Sequence, residues 1–577
     1  MKSILWLLGS VALGVSPLVA GERAVLWPTV GMPYAQNHQV AAWKEAVEGE
    51  GFRPDDHLQP YLEWCDPPVA ERANGVCVML VSGGGYDCLG DAALVREWSE
   101  RLTVLGCTCV ELVYRTPRPK AAAFYRTAWA DGQRAVRMVR ADAAKRGFDP
   151  EKIGVMAVAA GSHLGLLLAT SALSPAYEKV DARDETPCHL NWACLFSPAY
   201  VLTDGLGEPN ARDGDAADIT LDRCFAFDAK TCPIWLSHGG RDAASPIAST
   251  RIYRRLREQG VPAELHLYGE QPEGAFGFDR AVEFLRQRGA VGKLAPQESV
   301  YTRFDSDAAR AEYMYERLWP AGREPNAQTN FCTAAIEWHI PRELKTKAIQ
   351  IVWSGGGYFG NSPSSFEVMP VRRYLNAKGM AVVTVQYRSP RPEAPLAKHT
   401  VAWMDVQRAV RLVRAGAKRR GLDPDRIGVM GASAGGHLAM LGVTSSRHRA
   451  YRPIDSVDEL SCAVQWGVAV YPAYLLTDGV DGDNAHGGNG DGDRLVPELA
   501  FDLASAPVCF LHGDADGISA MGSVKAWEQL WRMGLRGDLH TLVGRGHCFM
   551  TEASPGTASY TWLDRIWEFL SSRGYNR

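Results

Sequence analysis

The chain has 577 residues, of which 46% are hydrophobic and 22% are charged, and its formal net charge at pH 7 is −4. This length exceeds that of one ordinary hydrophobic core and favours two large domains. The composition is that of a soluble globular enzyme. The near balance of charges excludes the basic surface of a nucleic-acid-binding protein or of a protein attracted to anionic membranes.

The first 21 residues are predicted to be a secretory signal peptide. Lys2 supplies a minimal basic start, residues 4–15 form a short apolar run, and Pro17 and small residues follow. The run is short for a transmembrane helix, so an uncleaved N-terminal anchor is the less favoured alternative. We therefore expect a secreted or periplasmic protein.

Strand and helix patterns alternate in both halves of the chain. Apolar runs predict buried strands, and segments with Ala, Val and Leu spaced three and four apart among arginines predict amphipathic helices. The strands are predicted at 76–81, 107–113, 153–158, 348–353, 381–385 and 427–430, and the helices at 126–146 and 400–420. This alternation predicts the α/β class, with a mostly parallel, doubly wound sheet flanked by helices.

A long internal repeat relates the two halves. Residues 129–137 return, with two differences, as residues 403–411, and the offset stays between 272 and 274 over most of the repeat. A period of this size is too long for a solenoid and indicates duplication of a whole domain. We predict domains at 22–290 and 297–577, which we call the first copy and the second copy.

The second copy contains a candidate nucleophile. Residues 431–435 read Gly-Ala-Ser-Ala-Gly and match the Gly-x-Ser-x-Gly motif, which is a weak signal alone. Here the motif follows an apolar strand and opens a helix of small residues, which is the setting it requires. Glycines are needed because the serine lies in a strained turn. We expect Ser433 to be the nucleophile; the alternative is a glycine-rich turn.

An acid and a histidine follow the serine along the chain. Asp514 and Asp516 come directly after a predicted strand, where open α/β sheets place their active sites, and His547 comes about thirty residues later. We favour Asp516, because the first copy has Asp242 at its position but Gly240 at that of Asp514. The acid would hold the histidine tautomer, and the histidine would accept the serine proton. The alternative for His547 is an exposed loop histidine.

A glycine-rich loop ends the first predicted strand of the second copy. The backbone N–H groups of Gly356 and Gly357, with that of Ala434, are expected to form an oxyanion hole. Such donors typically stabilise the transition state by about 3 kcal/mol each. A phosphate-binding loop is disfavoured, because no Gly-Lys-Ser/Thr follows and the Gly-x-Gly-x-x-Gly spacing is only partly met.

Together these motifs resemble the esterases and lipases of the α/β-hydrolase superfamily. More narrowly, the chain resembles bacterial acetyl xylan esterases and bifunctional feruloyl and acetyl xylan esterase (BD-FAE) domains, in tandem. The resemblance covers nearly all of 315–577 and rests on residues 355–358, 387–388, 405–409, 426–439, 471–472, 512–516 and 546–547. The group usually has Pro or His where this chain has Ser354. The resemblance implies two tandem α/β-hydrolase domains and a secreted serine esterase that removes acetyl or hydroxycinnamoyl groups from polysaccharide.

The first copy lacks two residues of this set. Ala159 stands where the second copy has its serine, and residues 273–277 carry no histidine, although Asp242 is retained. Loss of both the serine and the histidine should remove a triad contribution of about 10⁶ in rate. We expect the first copy to be a pseudoenzyme that serves in packing, in substrate binding or as the mimic of a dimer partner.

No pattern indicates a cofactor or a metal. No Cys-x-x-Cys or histidine cluster has zinc spacing, and the Asp- and Gly-rich stretch 481–493 lacks ligands that a calcium loop needs. Most of the 13 cysteines are expected to be buried free thiols. The expected partners are a small or polymeric ester substrate and the other copy of the domain, but no nucleic acid and no membrane partner.

Two further functions remain open at this point. A peptidase or amidase, such as a formamidase, would have the same fold and the same triad. A carbohydrate-binding protein without catalysis belongs to another class, and the complete triad spacing of the second copy argues against it.

Overall fold

The structure is a computed structural model. It describes residues 22–28, 31–34, 59–67, 73–90, 92–119, 122–203, 220–271, 277–291, 311–477, 494–552 and 561–577. The predicted signal peptide and the stretch 481–493 lie outside these residues. Internal contacts divide the chain into two compact units, one of residues 1–155 with 175–188 and one of residues 156–174 with 189–577.

In the first unit, four strands pair in the order β1-β2-β4-β3. They are β1 (Arg23–Val25), β2 (Tyr61–Cys65), β3 (Cys77–Val81) and β4 (Thr108–Val113). The strand β2 is antiparallel to both of its neighbours, whereas β3 and β4 are parallel. The helices of this unit are α1 (Ala92–Val104) and α2 (Arg126–Arg146). The strand β5 (Ile153–Val158) crosses the boundary between the units.

The larger unit contains one long sheet. Its strands are β6 (Trp192–Phe196), β7 (Ile234–Gly239), β8 (Ala263–Tyr268), β9 (Ala311–Arg317), β10 (Ala335–Pro341), β11 (Ile349–Trp353), β12 (Ala381–Gln386), β13 (Ile427–Ala432), β14 (Trp466–Val470), β17 (Val508–Gly513) and β18 (Asp538–Leu542). The short strands β15 (Leu476–Thr477) and β16 (Arg494–Leu495) pair separately.

The strands of this sheet follow the order β6-β7-β8-β18-β17-β14-β13-β11-β12-β10-β9. From β18 to β12, all neighbours are parallel, and β10 and β9 add an antiparallel edge. The central strands are buried along their whole length, as expected where both faces of a parallel sheet are covered.

The helices of the larger unit are α3 (Ala160–Thr170), α4 (Ile247–Glu258), α5 (Phe278–Gln287), α6 (Met369–Ala377), α7 (Thr400–Ala417), α8 (Ala434–Thr444), α9 (Met521–Arg532) and α10 (Trp562–Ser572). Every residue of α8 is buried, which explains why this helix is apolar on all sides. The predicted α/β class and the mostly parallel sheet flanked by helices are thus confirmed.

The residues that carry the repeat form a buried polar network. Asp405, on α7, is fully buried and accepts hydrogen bonds from Trp319 Nε1 at 2.6 Å and from the Arg388 backbone N–H at 2.7 Å. The Arg388 guanidinium also lies 2.7 Å from the same carboxylate. Because a buried ion pair stabilises a fold only when its polar atoms are satisfied, these residues must be retained together.

The first unit contains the same network. Trp27 Nε1 donates to Asp131 Oδ1 at 2.6 Å, and Arg115 Nη2 lies 2.7 Å from that oxygen. The most strongly repeated residues are therefore structural and lie in both copies, whatever chemistry each copy performs.

All 13 cysteines are described, and all are free thiols. Nine of them are buried, in agreement with the expectation for most of these residues. None of the described helices combines the length and the apolar character needed to cross a membrane.

Candidate active site

Ser433 occupies a sharp turn between β13 and α8. Its backbone angles are φ 53° and ψ −122°, a conformation that residues other than glycine rarely adopt. The flanking glycines permit this turn. A Cβ on Gly431 would collide with the Gly435 carbonyl oxygen, and a Cβ on Gly435 would lie 2.5 Å from the Ser354 carbonyl oxygen. The pentapeptide thus turns the serine side chain away from the strand and towards the loops beyond it.

Three predicted site residues meet at the carboxyl ends of parallel strands. Ser433 follows β13, Asp516 follows β17 and His547 follows β18. His547 Nε2 lies 2.9 Å from Ser433 Oγ, and His547 Nδ1 lies 2.8 Å from Asp516 Oδ2. Since an ionised Asp516 can only accept, Nδ1 carries the proton and Nε2 is free to accept the serine proton. This arrangement can perform nucleophilic catalysis.

The two candidate acids lie in different surroundings. Burial alone would raise the pKa of Asp516, but hydrogen bonds from His512 and His547 outweigh it and hold the pKa well below its usual value. Asp516 also accepts a hydrogen bond from the Ile518 N–H at 2.8 Å. Asp514 instead accepts a hydrogen bond from the backbone N–H of Gly544, and burial raises its pKa to about 6.

His512 supports the acid, a contact that sequence analysis did not assign. Its Nε2 lies 3.0 Å from the Ile518 carbonyl oxygen and 3.3 Å from Asp516 Oδ2, while its Nδ1 lies 2.9 Å from Ser523 Oγ. The recurrence of His-Gly in both copies was the available signal, because His238 makes the equivalent contacts in the first copy.

The glycine loop after β11 reaches the serine. A Cβ on Gly355 would lie 2.7 Å from the Ser433 Cβ, so the loop backbone passes directly beside the candidate nucleophile. Gly356 and Gly357 have positive φ angles of 101° and 60°. The N–H of Ala434 begins α8. In the described part of the chain, these three N–H groups donate no hydrogen bond to a protein acceptor.

Glu367 is a second site residue that the sequence did not indicate. This buried carboxyl accepts the Gly355 N–H at 2.6 Å and the Tyr471 hydroxyl at 3.0 Å. The Tyr471 ring packs edge-on against the His547 ring, with centroids 4.8 Å apart. Burial raises the pKa of Glu367 above its ordinary value. Glu367 therefore fixes the glycine loop and contacts a neighbour of the histidine.

An open cleft of about 570 Å³ leads to these groups. It is lined by Ser354, Gly355, Gly356, Gly357, Gly360, Asn361, Ser362, Ser365, Phe366, Glu367, Ser433, His547 and Cys548. The lining combines hydroxyl and amide groups with one exposed aromatic ring. In the described ranges, no group of three or more His, Cys, Asp or Glu side chains could hold a metal ion.

The corresponding place in the first copy keeps the turn at Ala159 but lacks the serine and the histidine of the second copy. Ala159 has φ 52° and ψ −119°, within a few degrees of the values for Ser433. Asp242 Oδ1 accepts the Ala244 N–H at 2.9 Å. Its Oδ2 is buried and has no hydrogen-bond partner in the described ranges, with His238 Nε2 at 3.6 Å. Of residues 273–277, the segment that would carry the histidine, residues 273–276 lie outside the described ranges.

Comparison with known proteins agrees with this architecture. The sequence model of the BD-FAE family matches residues 66–191 and 336–478, one region in each copy. The second region includes the glycine loop and Ser433 but ends before Asp516 and His547.

Three similar proteins illustrate the relationship. An acetylxylan esterase of Xylanibacter ruminicola is 34% identical over 127 residues, which cover 21% of this chain and 25% of that protein. Esterase LipQ of Mycobacterium tuberculosis is 26% identical over 238 residues, which cover 38% of this chain and 54% of LipQ. The crystal structure of an acetyl ester-xyloside bifunctional hydrolase from Caldicellulosiruptor lactoaceticus is 26% identical, with 45% of this chain and 97% of that chain covered and a TM-score of 0.38.

The chain thus aligns with about a quarter to a half of the length of these two curated relatives. Two regions of the chain, one in each copy, therefore match the BD-FAE family model, and parts of the chain are similar in sequence to carboxylic ester hydrolases.

Proposed function

We propose that this protein is a serine esterase that acts through its second copy, by way of an acyl-enzyme. The observation that carries the proposal is the chain of hydrogen bonds from Ser433 through His547 to Asp516, at the foot of an open cleft. The substrate class would be acetyl or feruloyl esters on polysaccharide, supported by the BD-FAE match and the acetylxylan esterase relative. The predicted leader supports secretion.

The geometry gives each residue a step in this reaction. His547 Nε2 accepts the proton as Ser433 Oγ attacks the acyl carbon, and the ionised Asp516 stabilises the imidazolium that forms. The backbone N–H groups of Gly356, Gly357 and Ala434 would donate to the carbonyl oxygen as it becomes negative. His547 then donates this proton to the departing sugar oxygen, which leaves as a hydroxyl. In the second half of the reaction water attacks the acyl-enzyme, His547 accepts the water proton, and Ser433 Oγ receives it as the acid is released.

In this proposal the first copy makes no acyl-enzyme. Ala159 cannot act as a nucleophile, and the sequence of residues 273–277 offers no histidine. The retained carboxyl of Asp242 supports descent from an active domain and adds no activity by itself.

The test is labelling with a fluorophosphonate probe, together with turnover of p-nitrophenyl acetate, in the full chain. We expect the wild type to be labelled once and to turn over the ester, and we expect both signals to vanish in Ser433→Ala. Failure of the folded wild type to label would reject the proposal and favour the carbohydrate-binding alternative. Faster hydrolysis of a p-nitroanilide than of the matching ester would favour the amidase alternative.

A further inference from the structure

The two copies meet through equivalent surfaces in the larger unit. The strands β8 and β18 pair antiparallel, and His266 lies opposite His540 at the centre of the contact. These histidines are 274 residues apart, which is the repeat offset, and their Nδ1 atoms lie 3.1 Å apart. The contact therefore has the pattern of a two-fold dimer interface, in which a residue on the axis meets its own counterpart and every other contact occurs twice with the copies exchanged.

Ion pairs around this centre are also reciprocal. Arg280 Nη2 lies 2.8 Å from Glu568 Oε1, and Arg565 Nη2 lies 3.4 Å from Glu283 Oε2. Each pair joins the last helix of one copy, with its Arg-x-x-Glu spacing, to the last helix of the other. Within one chain, the two copies thus contact each other through equivalent residues on each side.

Two further reciprocal contacts reach the loops that follow the strands. Glu264 Oε1, from the first copy, accepts the Val543 N–H at 3.1 Å. Its counterpart Asp538, from the second copy, accepts the Gly269 N–H at 2.9 Å. Val543 and Gly269 are themselves counterparts in the repeat. Each copy therefore supplies a buried carboxyl that accepts a backbone N–H from the other copy.

The second reciprocal contact joins a side-chain N–H of one copy to a backbone carbonyl oxygen of the other. Arg257 of the first copy donates from Nη1 to the Asp514 carbonyl oxygen. At the equivalent position of the second copy, Trp531 Nε1 donates to the Gly240 carbonyl oxygen at 3.2 Å.

The two sides of this interface differ in what they hold. Val543 lies four residues before His547, and Asp514 lies two residues before Asp516. Glu264 and Arg257 therefore form hydrogen bonds with the backbone of both loops that carry the complete triad. Gly269 and Gly240 precede loops that carry no complete triad. The interface is symmetric in structure, but only the first copy's half of it touches catalytic loops.

We propose that the first copy is a positioning domain in cis, and that Glu264 and Arg257 are positioning residues for the triad of the second copy. This inference rests on the proposed function. Its physical reason is local: Val543 and Glu264 are both buried, so the Val543 N–H would lose its acceptor if Glu264 were removed. A displacement of about 1 Å in a catalytic group can lower the rate about 10²-fold.

The symmetry supplies a matched pair of variants in the full chain, Glu264→Ala and Asp538→Ala. Each removes one buried carboxyl that accepts a backbone N–H across the interface. Each carboxyl also has a second partner, since Glu264 lies 3.2 Å from His266 Nε2 and Asp538 lies 2.9 Å from Arg573 Nη2, so we expect both variants to be destabilised. We expect Glu264→Ala to lower kcat and the rate of fluorophosphonate labelling about tenfold or more, with little change in KM, and Asp538→Ala to leave both near wild type.

Glu264→Gln keeps an oxygen acceptor for Val543 and should restore most of the lost kcat. Equal effects of Glu264→Ala and Asp538→Ala on kcat would overturn the inference while leaving the esterase proposal intact. If the wild type neither labels nor turns over, the proposed function fails and this inference fails with it. Should Glu264→Ala not fold, Arg257→Gln and Trp531→Phe form the second matched pair, with the same expected asymmetry in kcat.

Discussion

Replacing Ser433 with glycine should leave the protein more stable than replacing it with alanine, and both changes should abolish turnover. The angles φ 53° and ψ −122° belong to the first central position of a type II′ turn, where glycine dominates. A side chain held there costs about 1–3 kcal/mol. Both Ser433→Gly and Ser433→Ala lose the hydrogen bond to His547, so the difference between them isolates the effect of the Cβ.

At most positions a glycine variant is less stable than an alanine variant, and at position 433 we expect the reverse. Glycine loses about 0.5–1 kcal/mol more than alanine through the conformational freedom of the unfolded chain. Subtracting this from the strain leaves Ser433→Gly more stable than Ser433→Ala by about 1 kcal/mol. Ala159 has nearly the same angles, so Ala159→Gly should also gain about 1 kcal/mol, with no change in turnover.

The control is Ala141→Gly on α2, an exposed helical position where glycine should cost about 1 kcal/mol. Urea unfolding followed by circular dichroism measures stability, and p-nitrophenyl acetate hydrolysis measures activity. If Ser433→Gly is no more stable than Ser433→Ala, or if Ala159→Gly loses stability as Ala141→Gly does, the strain argument is wrong.

Three other predictions follow from the site and the interface. Asp516→Asn should lower kcat about 10⁴-fold, because the histidine loses its orienting acceptor. Asp514→Asn should lower kcat far less. Similar losses in ester hydrolysis by the two variants would contradict the choice of Asp516 as the acid. Burial raises the pKa of Glu264 from 4.5 to about 7, so between these pH values the folded protein keeps a proton that the unfolded chain releases. Stability should therefore fall as pH rises through this window, and Glu264→Gln should remove that part of the slope in urea unfolding; an unchanged slope would refute it. Glu367→Ala removes the acceptor of the buried Gly355 N–H and should lower kcat about tenfold or more. Glu367→Gln keeps an oxygen and should lose less activity, and a wild-type rate in Glu367→Ala would exclude a role for this carboxyl.

Local pattern was enough to predict much of the architecture. The helix expected at 126–146 coincides with α2, because an apolar stripe spaced three and four apart specifies a helix wherever it packs. The strand before Ser433 and the helix after it were readable for the same reason. The repeat also carried information beyond periodicity, since Asp242 in the first copy pointed to Asp516 rather than Asp514.

The contacts of the glycine loop could not be read in this way. Sequence analysis named Gly356 and Gly357 as donors but gave no reason to separate them from Gly355. The structure shows that the Gly355 N–H is taken up by Glu367, twelve residues further along the chain. Glu367 belongs to no motif, and only the folding of the loop brings its carboxyl to that N–H.

By itself, the sequence determined the class of fold, the duplication, the residues able to act as nucleophile, acid and base, and the absence of a serine and a histidine from the first copy. These are properties of residue type, spacing and repetition, which exist before the chain folds. The tertiary structure alone decided that β8 meets β18 and that Glu264 and Arg257 therefore hold the loops of Asp516 and His547. Which strand edges pair depends on the burial of complete surfaces, and no short stretch of sequence records that choice.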